Sequence, residues 1–314
     1  MNIHSVKKRD LKGKPMKRII FILALISICF YAFADDEAEM YSYLYNSITT
    51  VTGRLGIVKA AANSELDGGG DFYAQALDYL IMNMSNLSTP LDREAADETA
   101  MILVNLLGRE KYASAAGNVW KVVDSFQNPV VRAEAMMALG SMQATAFLPQ
   151  LLAILNSQNM SPTQDPDVGE KLAYGAIISL EKYKDPRGYL PVFFASIGWY
   201  SDRIKDTAAK ALPLISEDPT EPLLSLIRSS GYGYEAKYNA LRAIDTSNAD
   251  VASKTRLAVA AYQQGWQAST SVTRDRMILN NLRKYAMGMI KEHRPDDAAV
   301  YPLLERSYKE GTDW

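Results

Sequence analysis

An all-α fold, arranged as a right-handed solenoid of about seven helix pairs behind an N-terminal signal peptide, is what this 314-residue chain predicts. Three observations carry that expectation. Apolar residues recur at helical spacing through nearly every segment from Asp36 onward. No segment alternates apolar and polar residues over strand length between hairpin signals. A short pattern returns four times, at intervals of 37, 36 and 32 residues, the sort of period that marks stacked helix pairs.

Residues 1–34 read as the signal peptide. Lys7, Lys8, Arg9, Lys12, Lys14, Lys17 and Arg18 form a basic start, Ile19 to Phe33 an apolar run, and Ala32-Phe33-Ala34 a small-x-small cleavage site, with cleavage expected after Ala34. The run is shorter than the roughly 20 residues that span a bilayer, so no stable transmembrane span is expected after cleavage. An uncleaved anchor and a lipid on Cys29 are the alternatives; Ile28 opposes the second, because lipoprotein signals carry a small residue there. Residues 35–314 then form one repeat domain, placed in the periplasm or secreted. Removing residues 1–34 takes 7 of the 34 basic and 1 of the 36 acidic side chains and leaves a net charge of −8. Nucleic acid is therefore not an expected partner, since phosphate binding needs clustered excess Lys and Arg.

Along the chain, Met40, Leu44, Ile48, Val51, Leu55 and Val58 are spaced by fours and threes and predict one long first helix. Gly68-Gly69-Gly70 interrupts the pattern, and Phe72 to Met84 resumes it. After the turn from Ser85 to Pro90, helical stripes run over about 91–107, 112–126, 130–141 and 146–155.

The recurring pattern is clearest at Asn128-Pro129-Val130-Val131-Arg132, which leads into Ala138-Leu139-Gly140. Ser201 to Leu212 repeats it without the proline, Asp165-Pro166-Asp167-Val168 opens a third copy, and Ala236 to Ile244 is a fourth. Partner helices repeat as well: Leu148-Pro149, Leu190-Pro191, Glu221-Pro222 and Tyr301-Pro302 each set proline in a first helical turn, where its missing N–H costs nothing. This pattern resembles the HEAT repeat. The resemblance implies an α-solenoid whose helix pairs bury their apolar faces against neighbouring pairs and whose surface binds a partner. The pair over 202–230 fits, because apolar residues on more than one of its faces need cover from both sides. Ala135, Ala138, Ala208 and Ala211 allow close approach, and Asp165 and Asp202 are placed to cap helices, worth about 1 kcal/mol each.

Little in the chain points to chemistry. Cys29 is the only cysteine and lies in the signal, which excludes thiolate catalysis, disulfides and cysteine metal sites from residues 35–314. His293 is the one histidine there and suits a helix C-terminus as a cation. Neither a phosphate-binding nor a dinucleotide-binding glycine pattern occurs. Glu94, Asp97 and Glu98 are the best paired carboxylates, at a spacing that reads as the solvated face of a helix. No catalytic residue, cofactor or metal is expected.

Aromatic residues cluster where one repeat meets the next: Trp199-Tyr200, Tyr232 with Tyr234, and Trp266. Trp199, Tyr232 and Trp266 are 33 and 34 residues apart, so in a solenoid they either stack as a ladder along one edge, where Trp and Tyr dominate binding hot spots, or plug the seams between repeats as core. The function expected is a non-catalytic protein-protein interaction scaffold of the bacterial cell envelope, with Trp199, Tyr200, Tyr232, Tyr234 and Trp266 as contacts. Two alternatives remain open: an envelope carbohydrate hydrolase working through paired carboxylates, and a self-assembling structural subunit.

Overall fold

A computed structural model describes residues 37–64, 66, 68–160, 165–293, 298 and 300–310. The predicted signal peptide lies outside the described residues. Among those residues all regular structure is helical and there is no strand; no helix is long and apolar enough to cross a membrane. The chain divides between Glu110 and Lys111 into two compact units.

The first unit holds α1 (37–47), α2 (Val51–Asn63), α3 (Gly70–Met82) and α4 (Pro90–Arg109). The expected single long helix is two, broken over 48–50. Thr50 is extended, and its side chain accepts the Gly53 N–H as an N-cap, so the β-branched run Ile48-Thr49-Thr50-Val51 starts a new helix instead of continuing the old one. α4 packs on both α2 and α3, enclosing Val58, Leu77, Leu103 and Leu107. Tyr45 is buried. Its hydroxyl donates to the Ala76 carbonyl at 3.1 Å and its ring meets Phe72 and Tyr79 edge-on. Arg54 lies 3.8 Å from the Tyr79 ring centre and donates to the Tyr45 carbonyl, a buried cation held by π faces instead of a carboxylate.

The second unit runs through α5 (Ala116–Ser125), α6 (Pro129–Ser141), α7 (Leu148–Met160), α8 (Pro166–Tyr183), α9 (Tyr189–Ile197), α10 (Asp202–Ile215), α11 (Thr220–Arg228), α12 (Tyr234–Thr246), α13 (Val251–Gln267), α14 (Thr273–His293) and α15 (Tyr301–Glu310). Helices pack on near neighbours in sequence: α6 on α8 and α8 on α10, α7 on α9, α11 on α13, α12 on α14, and α5, α7, α9, α11 and α13 each on the helix that follows. The α6–α8 contact is the most extensive. A Cβ at Gly140 would lie 2.7 Å from the Ser179 Cα, and one at Gly175 would lie 2.7 Å from the Ala133 Cα. The helix axes thus approach until backbone meets backbone, through glycines in addition to the alanines named from the sequence.

Three connectors in this unit are built alike. Lys111, Gln143 and Lys184 are left-handed, with φ of 53°, 55° and 53°. Each is followed by one residue, a 3-10 turn (Ala113–Ala115, Thr145–Phe147, Pro186–Gly188) and then the next helix. Side chains also link positions a nearly constant distance apart in sequence. Tyr183 donates to the Ala144 carbonyl across 39 residues, Trp199 to the Gln158 carbonyl across 41, Tyr200 to Asn159 across 41, and Tyr285 to Asp245 across 40.

The capping expectations divide. Asp165 accepts from the Asp167 N–H as the N-cap of α8. Asp202 instead begins α10, whose N-cap is Ser201, and Glu170 of α8 takes both the Ser201 N–H and its hydroxyl, at 2.6 and 2.8 Å. His293 does end α14.

Lys237 of α12 is 3% exposed, and among the described residues its ammonium has one partner, the Gln264 Oε1 at 3.1 Å. Burial holds its pKa below 10.5, because desolvation penalises the charged form. The folded chain therefore gives up this proton more readily than the unfolded one, and stability rises with pH through the window between the lowered value and 10.5. Lys237→Met is expected to raise the free energy of urea unfolding at pH 7 by about 1–2 kcal/mol, and to remove that rise with pH. A loss of stability in the variant would show that the ammonium, not its burial cost, dominates.

Candidate functional site: a cleft between α9, α10 and α12

The tight succession of α6, α8 and α10 does not extend to α12. Between α10 and α12, with α9 at its floor, lies a cleft of about 510 Å³. Its local cause is legible: Pro213 sits inside α10. Proline has no N–H for the carbonyl four residues back and its ring crowds that turn, so the Ala209 carbonyl loses its helical donor where Ala209 lines the cleft. The connector after α10 also lacks the left-handed residue and 3-10 turn found in the connectors after α4, α6 and α8.

The floor is apolar, with Phe193 and Ile197 of α9 and Leu212 of α10. Tyr189 belongs to the floor too: it is 3% exposed and its hydroxyl has no hydrogen-bond partner among the described residues. Burial pushes its pKa up to about 12, so the phenol stays protonated through the neutral range. The charged lining consists of one carboxylate and one guanidinium, Glu217 from the connector after α10 and Arg242 from α12. Neither forms an ion pair among the described residues. Asp218, next to Glu217, is used locally as the acceptor for the Thr220 N–H at 2.9 Å. Asp245, one turn beyond Arg242, accepts the Tyr285 hydroxyl at 2.6 Å. A more polar groove of about 580 Å³ opens on the other side of α12, against α14, where that tyrosine and Asp245 lie.

None of the five aromatic residues proposed from the sequence lines this cleft. Trp199 and Tyr200 stand together, ring centres 4.3 Å apart, and both turn inward on the end of α7. Trp199 is half-buried with its indole N–H on the Gln158 carbonyl at 2.8 Å. Tyr200 is 1% exposed, with its hydroxyl on Asn159 at 2.9 Å. Tyr232 is 37% exposed and stacks on Phe194 at 5.2 Å; Tyr234 opens α12 half-buried. Trp266 is half-buried between Arg283 and Arg306, whose guanidiniums lie 4.4 and 4.1 Å from its ring centre. The structure thus joins Trp199 to Tyr200 and leaves Tyr232 with the most accessible ring of the five.

The cleft residues escaped the sequence reading because Phe193 and Tyr189 look like core and Arg242 like a solvated helix face. Pro213 was the available signal, as the one proline set deep in a helical stripe and not in its first turn. Of the carboxylates weighed for catalysis, Glu98 is ion-paired to Lys59 at 2.6 Å, tying α4 to α2. Compared with protein-family models, curated proteins and solved structures, the chain matches none.

Proposed function

We propose that the protein is a non-catalytic interaction scaffold acting outside the cytoplasm, a solenoid of HEAT-like helix pairs whose partner is a protein of the cell envelope and not a nucleic acid. The observation that carries the reading is the recurrence, over 39 to 41 residues, of side-chain bonds between successive segments, together with the connector built three times in the same way. Equal positions in successive segments meet, as they do when repeats stack. Such arrays work by presenting surface, and Tyr232 with Phe194 beneath it is the aromatic surface offered at the turn before α12.

A photocrosslinking residue at position 232 of the full chain, expressed in its host, is expected to give one discrete adduct. Tyr232→Ala should then weaken binding of that purified partner by about 2 kcal/mol, roughly thirtyfold, as for a hot-spot aromatic, without loss of helicity. Absence of an adduct, or unchanged affinity in a folded variant, rejects Tyr232 as a contact.

A further inference from the structure

The cleft between α10 and α12 supports a function that does not depend on a partner protein. We propose that it is a binding site for a short free peptide carrying an apolar side chain, held at both of its charged ends.

Several features of the cleft point to that ligand. Its volume, about 510 Å³, lies within the range of small-molecule sites, which pair an apolar lining with a few placed polar groups. Phe193 and Leu212 make the surface for an apolar side chain. Arg242 and Glu217 come from different walls, and neither has an ion-pair partner among the described residues. A ligand of one sign would satisfy one of them and be repelled by the other; a molecule with a carboxylate and an ammonium satisfies both. The Ala209 carbonyl, freed by Pro213, and the C-terminal turn of α10 add acceptors on the Glu217 side, where a helix end favours positive charge. The ammonium therefore belongs with Glu217 and the carboxylate with Arg242, whose planar guanidinium suits it.

Tyr189 supplies the independent observation. The residue is 3% exposed, and its hydroxyl, without a partner among the described residues, keeps contact with solvent. A peptide group lying over the floor gives this phenol the partner that the protein withholds.

Isothermal titration of the full chain with Leu-Leu and Leu-Leu-Leu tests the assignment. Each is compared with its N-acetylated and C-amidated form and with free leucine. The unblocked peptides should bind, and either block should weaken binding at least tenfold. Arg242→Gln should abolish the discrimination against the amide and leave that against the acetyl group; Glu217→Gln should do the reverse. Both positions lie at the rim, so the variants should fold, which circular dichroism checks. Tyr189→Phe should weaken every ligand without altering either discrimination. Blocked and free peptides binding alike, or no binding heat at millimolar peptide, overturns the proposal. Free leucine binding as tightly as the tripeptide overturns the assignment to a peptide and gives the site to an amino acid.

Discussion

Replacing Gly175 by alanine is expected to cost about 2 kcal/mol of stability, in the range of overpacked cores, and replacing it by valine to abolish cooperative folding of the second unit. The added Cβ would sit 2.7 Å from the Cα and 2.8 Å from the carbonyl oxygen of Ala133. Both are backbone atoms of α6, so no side-chain rotation relieves the clash and α8 must move away. That movement opens the seam lined by Ala173, Ala176 and Ile177, all fully buried. Gly288→Ala is the matched control. Nothing lies within 4 Å of a Cβ at Gly288, and in the interior of α14 alanine is preferred over glycine by roughly 0.5–1 kcal/mol. Urea unfolding monitored by circular dichroism should therefore give stability changes of opposite sign for the same chemical change. A Gly175→Ala variant as stable as the parent would mean that α6 and α8 do not meet backbone to backbone.

Alkaline unfolding is expected to be steep, and complete before pH 12. Burial raises the pKa of Tyr45, Tyr73, Tyr183 and Tyr189 from 10.0 to about 12, and it raises Tyr200 further. In each case the folded state holds its proton above the pH at which the unfolded state releases it. The stabilisation is thus fully present below pH 10 and is lost as pH rises from 10.0 through about 12. Each tenfold difference in acidity between the folded and unfolded chain corresponds to about 1.4 kcal/mol, so several such residues together are comparable with the stability of an ordinary domain, about 5–15 kcal/mol. Tyrosinate absorbance and ellipticity followed through a pH titration should change together and cooperatively. Absorbance rising near pH 10 while helicity persists would show that the rings ionise without leaving the core. Tyr183→Phe, which also breaks the bond to the Ala144 carbonyl, should lessen the steepness in the second unit.

How far these features were legible differs element by element. Prolines 129 and 166 stand at the first positions of α6 and α8, because a helix start requires nothing of the proline N–H, and Pro90, read as the end of a turn, is likewise the first residue of α4. The stripe through Met40 and Val58 misled at Thr50, whose side chain caps a new helix without disturbing the period of the apolar residues. The aromatic residues were located at segment junctions, but spacing could not say which way they point. Trp199 and Tyr200 turn inward because Gln158 and Asn159 offer acceptors at the end of α7, a partner 41 residues away that no local window contains.

The amino-acid sequence by itself determined the helical content and most helix starts, since each rests on short-range terms: periodicity, capping and the geometry of proline. Tertiary structure alone decided that Gly175 and Gly140 are contact points, that Lys237 is buried, and that a cleft with Tyr189, Glu217 and Arg242 opens beside Pro213. Those properties depend on how closely one helix can approach another. That distance is set jointly by side chains from segments far apart in the sequence, so it has no signature in either segment taken alone.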